Sequence, residues 1–357
     1  MDGVTDGAMR YMVAKYSSAP VIQSSSKIQE YGNAGIPENH IGVDFLITEF
    51  VSVDALHHAT GERRERLLKT FVKARDVDMF SSNPDIQCSS DEQEYRNTEK
   101  PDNQSAWPKE IAQIFGHDPE YFKEAAELIE SLGFDGVDIN MGCPMHKVED
   151  QGSGAGLIRT PELAKEIVLA VKSATKLPVS VKTRIGVDKD IAEEWMEHLM
   201  EVKPVRISLH GRTLRQLYSG LADWEAIGRA AKIVHKYGGI IFGNGDIESI
   251  EKGKVLSEKY GVDGILIGRA AEGNPGIFTG NQPTVEQRLE WMVEHAKVFE
   301  SIFKPEVEKE GDHRWFMPMR KHLAWYCKGF EGAVEMRMKL MMTNNVQEVE
   351  EIVKDLF

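Results

Sequence analysis

The chain has 357 residues, with 43 Lys and Arg against 57 Asp and Glu, for a formal net charge of −14. Hydrophobic residues make up 41% and charged residues 28%, a globular balance that excludes collagen, a coiled-coil rod and wholesale disorder. No apolar run approaches the roughly 18 residues that span a bilayer, and no basic segment followed by an apolar one opens the chain. Three cysteines (Cys88, Cys143, Cys327) are too few and too scattered for a disulfide framework or a four-cysteine zinc site. The expectation is a reduced cytoplasmic protein with no membrane attachment and no metal. The acidity neither demands nor excludes RNA, because phosphate contacts need only a local basic surface.

In chain order, Met1-Asp2-Gly3-Val4-Thr5-Asp6 reads as a loop that follows a strand and leads into a helix from about Gly7 to Lys15. Short apolar runs then predict strands at 45–50, 110–115, 136–140, 179–183, 206–209, 239–243 and 264–267. Such runs suit strands buried on both faces of a parallel sheet. Amphipathic stretches between them predict helices at 120–132, 161–174, 191–202 and 224–235. Thr160-Pro161-Glu162 offers a capping hydroxyl before a first-turn proline, and Asp223 precedes Trp224 as a second cap. Repeated strand–helix alternation predicts a TIM (β/α)8 barrel, with its first strand expected before Met1, from a start placed too late or a fragment. Segments 17–39 and 81–108 read as polar insertions on the face opposite the active site, so Cys88 is not counted as catalytic.

After about Pro283 helices continue without strands, at 286–303, 319–328 and 346–357. The expected division is a barrel over 1–280 and a helical domain over 281–357. Within 314–339, Arg314, Arg320, Lys321 and Lys328 are interleaved with Trp315, Phe316, Trp325, Tyr326 and Phe330. Cations beside flat rings suit RNA binding, although the same pattern fits a packed bundle with core aromatics and solvated lysines.

The most informative stretch is GVDINMGCPMHK over 136–147. A strand ends near Asn140, and a Gly-Cys-Pro turn then presents Cys143 at the strand's C-terminal end, where catalytic groups of such barrels sit. A thiol placed there suits a nucleophile or a general acid, while a lone cysteine is otherwise an ordinary buried one. Lys147 and the glycine-rich 152–156 add a cation and a close-approach loop. Asn244-Gly245-Asp246 and Gly268-Arg269 follow the last two strands, where barrels bind phosphate. Lys182 and His210 close two further strands, so polar groups, Gln113 and Asn140 among them, converge on one rim.

These residues resemble the tRNA-dihydrouridine synthase family. The resemblance rests on Met1–Asp6, Thr48-Glu49, Gln113-Ile114-Phe115-Gly116, Asn140-Met141-Gly142-Cys143-Pro144 with Lys147, and Lys182-Thr183-Arg184. It continues through His210-Gly211-Arg212-Thr213, Gln216, Tyr218, Asn244-Gly245-Asp246, Gly268-Arg269 and Arg320-Lys321-His322. The resemblance implies an FMN enzyme that reduces the C5=C6 bond of a uridine in tRNA, with NADPH (or NADH) as reductant. It implies hydride delivery to C6 and a proton from Cys143 to C5. Lys182 would face the flavin N1/C2 edge and Gln113 its pyrimidine edge, with His210 near the ring and phosphate end. Asn244, Gly245, Asp246, Gly268 and Arg269 would cradle the phosphate, and Met1, Asp2 and Gly3 would cover the ring. Asn140 and Lys147 would hold the uracil; Arg212, Arg320 and Lys321 would meet tRNA. The expected partners are tRNA and NAD(P)H, with the protein a monomer. Two alternatives stay open: an FMN oxidoreductase of a free pyrimidine, similar to dihydroorotate dehydrogenases, and an inactive tRNA-binding module.

Overall fold

A computed structural model of the chain describes residues 6–17, 45–77, 108–280, 282–305 and 313–354. The barrel-forming elements are α1 (Gly7–Ser17), β1 (Phe45–Ser52), α2 (Val53–His58), α3 (Gly61–Leu68), β2 (Lys109–Phe115), α4 (Pro119–Ser131) and β3 (Gly136–Met141). They continue with α5 (His146–Asp150), α6 (Pro161–Ala174), β4 (Val179–Arg184), α7 (Ala192–Glu201), β5 (Ile207–His210) and α8 (Trp224–Lys236). Then come β6 (Ile241–Asn244), α9 (Ile250–Tyr260) and β7 (Gly264–Leu266), followed by α10 (Val285–Phe303), α11 (Met317–Tyr326), α12 (Ala333–Leu340) and α13 (Val346–Lys354).

The seven strands pair in sequence order, each parallel to the next. The sheet is strongly curled. Phe45 on β1 lies 5.8 Å from Phe242 on β6, ring centre to ring centre, and the Arg206 guanidinium sits 4.0 Å over the Phe45 ring. In a flat sheet, five strand spacings would separate β1 and β6 by about 24 Å. The helices cover the outside, as in a TIM barrel, and among the described residues β1 and β7 each have one strand neighbour.

The strands are not apolar on both faces. In β3, Val137, Ile139 and Met141 alternate with Asp138 and Asn140; in β4, Val179 and Val181 alternate with Ser180, Lys182 and Arg184; in β5, Ile207 and Leu209 alternate with Ser208 and His210. The apolar set packs outward against helix residues such as Phe122, Ile167, Trp195 and Ile227 in one buried core. The polar set points into the barrel. A period of two therefore separates packing from chemistry within each strand.

Asp223 caps α8 by accepting from the Ala226 N–H, as its position predicts. Thr160 makes no such bond, and α6 starts on Pro161 without a side-chain cap. Helix α12 was not anticipated; it begins after Gly332, whose φ of +81° marks a turn. Apart from Ser17 and Pro108, the two polar insertions lie outside the described residues, and Cys88 with them. The C-terminal helices form a second core, and α1 belongs to it: Ala8, Met12 and Val13 pack with Met292, Ala296 and Phe299 of α10 and Leu323 of α11.

Candidate active site

Strand register builds the site. Gln113 lies opposite Asp138, Asn140 opposite Lys182, and Arg184 opposite His210, which in turn lies opposite Asn244. A buried polar chain runs through the first of these. Arg206 Nη2 stands 3.7 Å from Asp138 Oδ1, and the Ser180 hydroxyl donates to the same oxygen at 2.5 Å. Gln113 Nε2 donates to Asp138 Oδ2 at 2.6 Å, which turns Gln113 Oε1 to accept from Asn140 Nδ2 at 2.9 Å. The orientation of Asn140 is thereby fixed, and its Oδ1 accepts from the backbone N–H groups of Gly142 (3.0 Å) and Cys143 (2.9 Å). All these hydrogen bonds but the partly buried one from Gly142 are buried, where a missing partner would be costly, so the chain holds one arrangement.

The thiol loop is clamped from the other side as well. Arg184 Nε donates to the Gly142 carbonyl at 2.7 Å, and the Ala155 N–H reaches the Cys143 carbonyl at 3.3 Å. Gly154, at φ +58°, passes so close that a Cβ there would meet Val148 at 2.9 Å and Cys143 Cβ at 3.1 Å. Cys143 is 4% exposed and lines the cavity.

Lys182 lies half-buried beside it and forms no ion pair with a described residue. Burial, then the neighbouring Arg184, lower its pKa to about 8, against the pull of Asp138 and Cys143 in the other direction. His210 is driven further: burial first, then Lys182, Arg184, Arg212 and Arg269, lower its pKa to about 2, so the imidazole is neutral. Arg212 Nη1 lies 3.3 Å from His210 Nε2. Because a guanidinium only donates, Nε2 accepts and the ring proton sits on Nδ1.

Two expectations need correction. Arg212 does not face RNA. It is 2% exposed, with Nη2 on both oxygens of Asp246 (2.9 and 2.7 Å) and on the Gly220 carbonyl, and Nε on the Ser219 carbonyl. The Asp246 carboxylate correspondingly holds arginines: it also accepts from the Ala222 N–H and from Arg269 Nη2, and these partners keep its pKa below the usual carboxylate range despite its partial burial. The carboxylate is thus committed to arginines, while Asp246 itself lines the cavity beside Gly245. Backbone remains available there. Gly245, at φ +129°, has space for no Cβ, which would sit 2.5 Å from Ala222. Asn244 ties β6 to β7 through Nδ2 and the Leu266 carbonyl at 2.8 Å, and Gly268 and Arg269 lie on the same wall.

Arg320 is also engaged internally. Its Nε donates to the Thr343 carbonyl at 2.8 Å and its Nη2 to Asn344 Oδ1 at 2.9 Å, closing the end of α12. Phe316 and Tyr326 are core residues, so the packed-bundle reading accounts for these aromatics. Lys321 is half-buried and acts electrostatically on Glu272, a cavity-lining residue, while Lys328 Nζ donates to the Glu272 carbonyl at 3.0 Å. Met1, Asp2 and Gly3 and the Lys147 side chain lie outside the described residues. Sequence reasoning gave no role to Asp138 or Arg184, although both stand in the stretches that carry the resemblance, and it passed over Arg206. The strand alternation carries the signal for Asp138 and Arg184, each two residues from a rim group.

These groups line a cavity of about 1070 Å³ at the C-terminal ends of the strands. It is large enough for a mononucleotide and a second ring. Residues at hand suit a flavin: Lys182, without an ion-pair partner among the described residues, for an anionic ring edge, close-approach glycines for a phosphate, and the Cys143 thiol on the cavity lining. Fold and site together define a barrel enzyme with a cofactor-sized cavity at the C-terminal ends of its strands.

A model of the dihydrouridine synthase (Dus) family matches residues 78–357, and the chain belongs to that family. The protein is thus a flavin-dependent oxidoreductase. A probable tRNA-dihydrouridine synthase of Staphylococcus aureus is 36% identical over 243 residues, covering 67% of this chain and 72% of that protein. A Staphylococcus epidermidis relative of the same description is 37% identical over 248 residues (68% and 74%), and one from Synechocystis is 36% identical over 249 (66% and 67%). Among solved structures, morphinone reductase in complex with tetrahydroNAD aligns with a TM-score of 0.44 at 12% identity, over 80% of this chain and 86% of that one. A dihydroorotate dehydrogenase of Eimeria tenella aligns with a TM-score of 0.35 at 11% identity, over 54% and 57%.

Proposed function

We propose that this protein is a tRNA-dihydrouridine synthase that reduces the C5=C6 bond of a uridine in tRNA, with FMN as cofactor and NADPH or NADH as reductant. The flavin, when bound, supplies hydride to uracil C6. Cys143 donates its thiol proton to C5, so the pyrimidine gains two hydrogens across one double bond and the thiol is restored from solvent. Lys182 stabilises negative charge on the cofactor's ring edge, because burial leaves its ammonium in need of an anion. Neutral His210, with its proton on Nδ1, offers a hydrogen bond without adding charge. The backbone around Gly245 and Gly268, together with the exposed part of Arg269, receives the phosphate. Asn140 holds the thiol loop in register, and Lys147 is assigned to the uracil.

The uridine must leave its stack to reach a recessed thiol, so the enzyme extrudes the base. Lys321 and Lys328, at the cavity's edge beside Glu272, are the helical domain's contacts to tRNA phosphate, and the protein acts as a cytoplasmic monomer. The observation that carries this reading is a buried amide chain ending on the Cys143 N–H, beside a cation with no ion-pair partner among the described residues. The test is to map dihydrouridine in tRNA from cells with and without the gene. Loss of particular dihydrouridines on deletion, restored by the intact gene, supports the assignment; an unchanged tRNA pattern overturns it. Turnover of free uridine or orotate without tRNA would favour a free-pyrimidine oxidoreductase, and purified protein without flavin absorbance would favour a tRNA-binding module.

A further inference from the structure

Outside the active site, three ligand-type side chains meet at the junction of the barrel and the helical domain. Asp6 stands at the start of α1, His295 on α10 and His322 on α11. Their ligand atoms all lie within 4.8 Å of one another, and the residues are 4%, 0% and 0% exposed. His322 Nε2 is 3.2 Å from Asp6 Oδ2, and His295 Nε2 is 4.0 Å from Asp6 Oδ1. The first is an ion-pair contact, and the second is longer than a hydrogen bond. His295 Nε2 and both nitrogens of His322 are buried and have no hydrogen-bond partner among the described residues. Orphaned polar atoms in a core cost about 1–3 kcal/mol each, and two of the three, His295 Nε2 and His322 Nε2, both approach Asp6, where a single ligand would satisfy them together.

We propose that Asp6, His295 and His322 bind one zinc-like divalent cation that fastens α1 to the helical domain. Two imidazoles and one carboxylate are a nitrogen–oxygen set that zinc accepts readily, whereas calcium and magnesium prefer oxygen throughout. Ligand atoms of a tetrahedral zinc site lie roughly 3.3 Å apart, so the shortest separation already fits and the wider ones would close by up to roughly 1.5 Å.

The surroundings support the assignment. Tyr326 Oη lies 3.2 Å from His295 Nδ1, where it can accept the Nδ1 proton and leave Nε2 as a lone pair facing Asp6. Asp6 Oδ1 accepts from the Met9 N–H at 2.8 Å, which fixes the carboxylate as the cap of α1. Edge-on contacts hold the rings, His295 against His322 at 4.8 Å and His322 against Trp325 at 4.7 Å. A water takes the fourth position. The role is structural: α1, at one end of the chain, is joined to two helices of the C-terminal segment at one point, and the energy of binding becomes stability of the junction.

The inference is independent of the flavin reading and departs from the sequence expectation of no metal. Zinc is measured by elemental analysis on the full-length protein after gel filtration in metal-free buffer. The expected result is about one zinc per chain, lost in His322→Ala and retained in His57→Ala. After chelation, zinc at about a hundredfold excess over its dissociation constant raises Tm by about 5 °C, and magnesium does not. Should His322→Ala fail to fold, cobalt titration of the chelated wild-type protein replaces it, with a visible tetrahedral cobalt band expected to saturate near one equivalent. Wild-type protein that holds no zinc above the His322→Ala level, shows no cobalt band, or melts at the same temperature with and without zinc overturns the proposal. The three residues would then be an Asp6–His322 ion pair with a neighbouring imidazole.

Discussion

Replacing Lys182 by methionine tests whether the cavity stores an unfavourable charge for the benefit of its cofactor. In the chain alone, burial and Arg184 lower the Lys182 pKa from 10.5 to about 8. At pH 7 a shift of that size corresponds to about 3 kcal/mol of native-state destabilisation, an upper bound because local relaxation relieves part of it. The sign follows from proton binding: the unfolded lysine holds its proton more tightly, so the penalty is full below about pH 8 and fades as pH rises towards 10.5. Lys182→Met, similar in length and uncharged, should therefore make flavin-free protein more stable than wild type at pH 7. That advantage should shrink by about 1 kcal/mol between pH 7 and pH 9. Urea unfolding of both proteins across this range, after removal of flavin, measures it. With FMN bound the order should reverse, since the variant loses the ion pair that offsets the burial. A flavin-free variant no more stable than wild type, or a difference that ignores pH, would refute the assignment of Lys182 as a strained, ligand-seeking cation.

Cys143→Ala should retain flavin and tRNA binding while dihydrouridine formation falls by about 10²–10⁴, the usual worth of a positioned proton donor; undiminished turnover removes Cys143 as the acid. Asn140→Ala leaves the Gly142 and Cys143 N–H groups without their acceptor, so it should lower stability by about 1–3 kcal/mol in chemical denaturation and reduce turnover more than FMN content. Lys321→Glu should weaken tRNA binding in a filter assay and flatten its salt dependence. Arg320→Ala should act chiefly on the melting temperature, because its guanidinium is committed to the end of α12.

Local signals were legible in the sequence; long-range pairings were not. Pro161 and Ala174 bound a helix where periodicity and a first-turn proline placed one, and Gly136 opens a strand that was read from five residues. The Gly-Cys-Pro turn located Cys143 at a strand end because turn chemistry is local. By contrast, Arg212 and Asp246 are 34 residues apart, and Gln113 and Asp138 are 25 apart. No spacing rule joins them, since barrel closure decides which side chains share the interior. The same holds for the cations of the helical segment. Composition shows that Arg320 and Lys321 are basic, whereas only packing shows that one closes a helix and the other lies near the cavity's edge. The strands' alternation was present in the letters and was read too coarsely as continuous hydrophobicity.

The shared core of α1 and the C-terminal helices has a practical consequence for anyone dissecting this enzyme. Cutting the chain near residue 280 would not release a self-sufficient catalytic barrel, because Ala8, Met12 and Val13 would lose the greasy partner surface on which the first helix rests. Swapping in the tail of another homologue to alter RNA preference would meet the same obstacle. The exchangeable unit in three dimensions is the tail plus α1, two stretches that a linear map would assign to opposite ends.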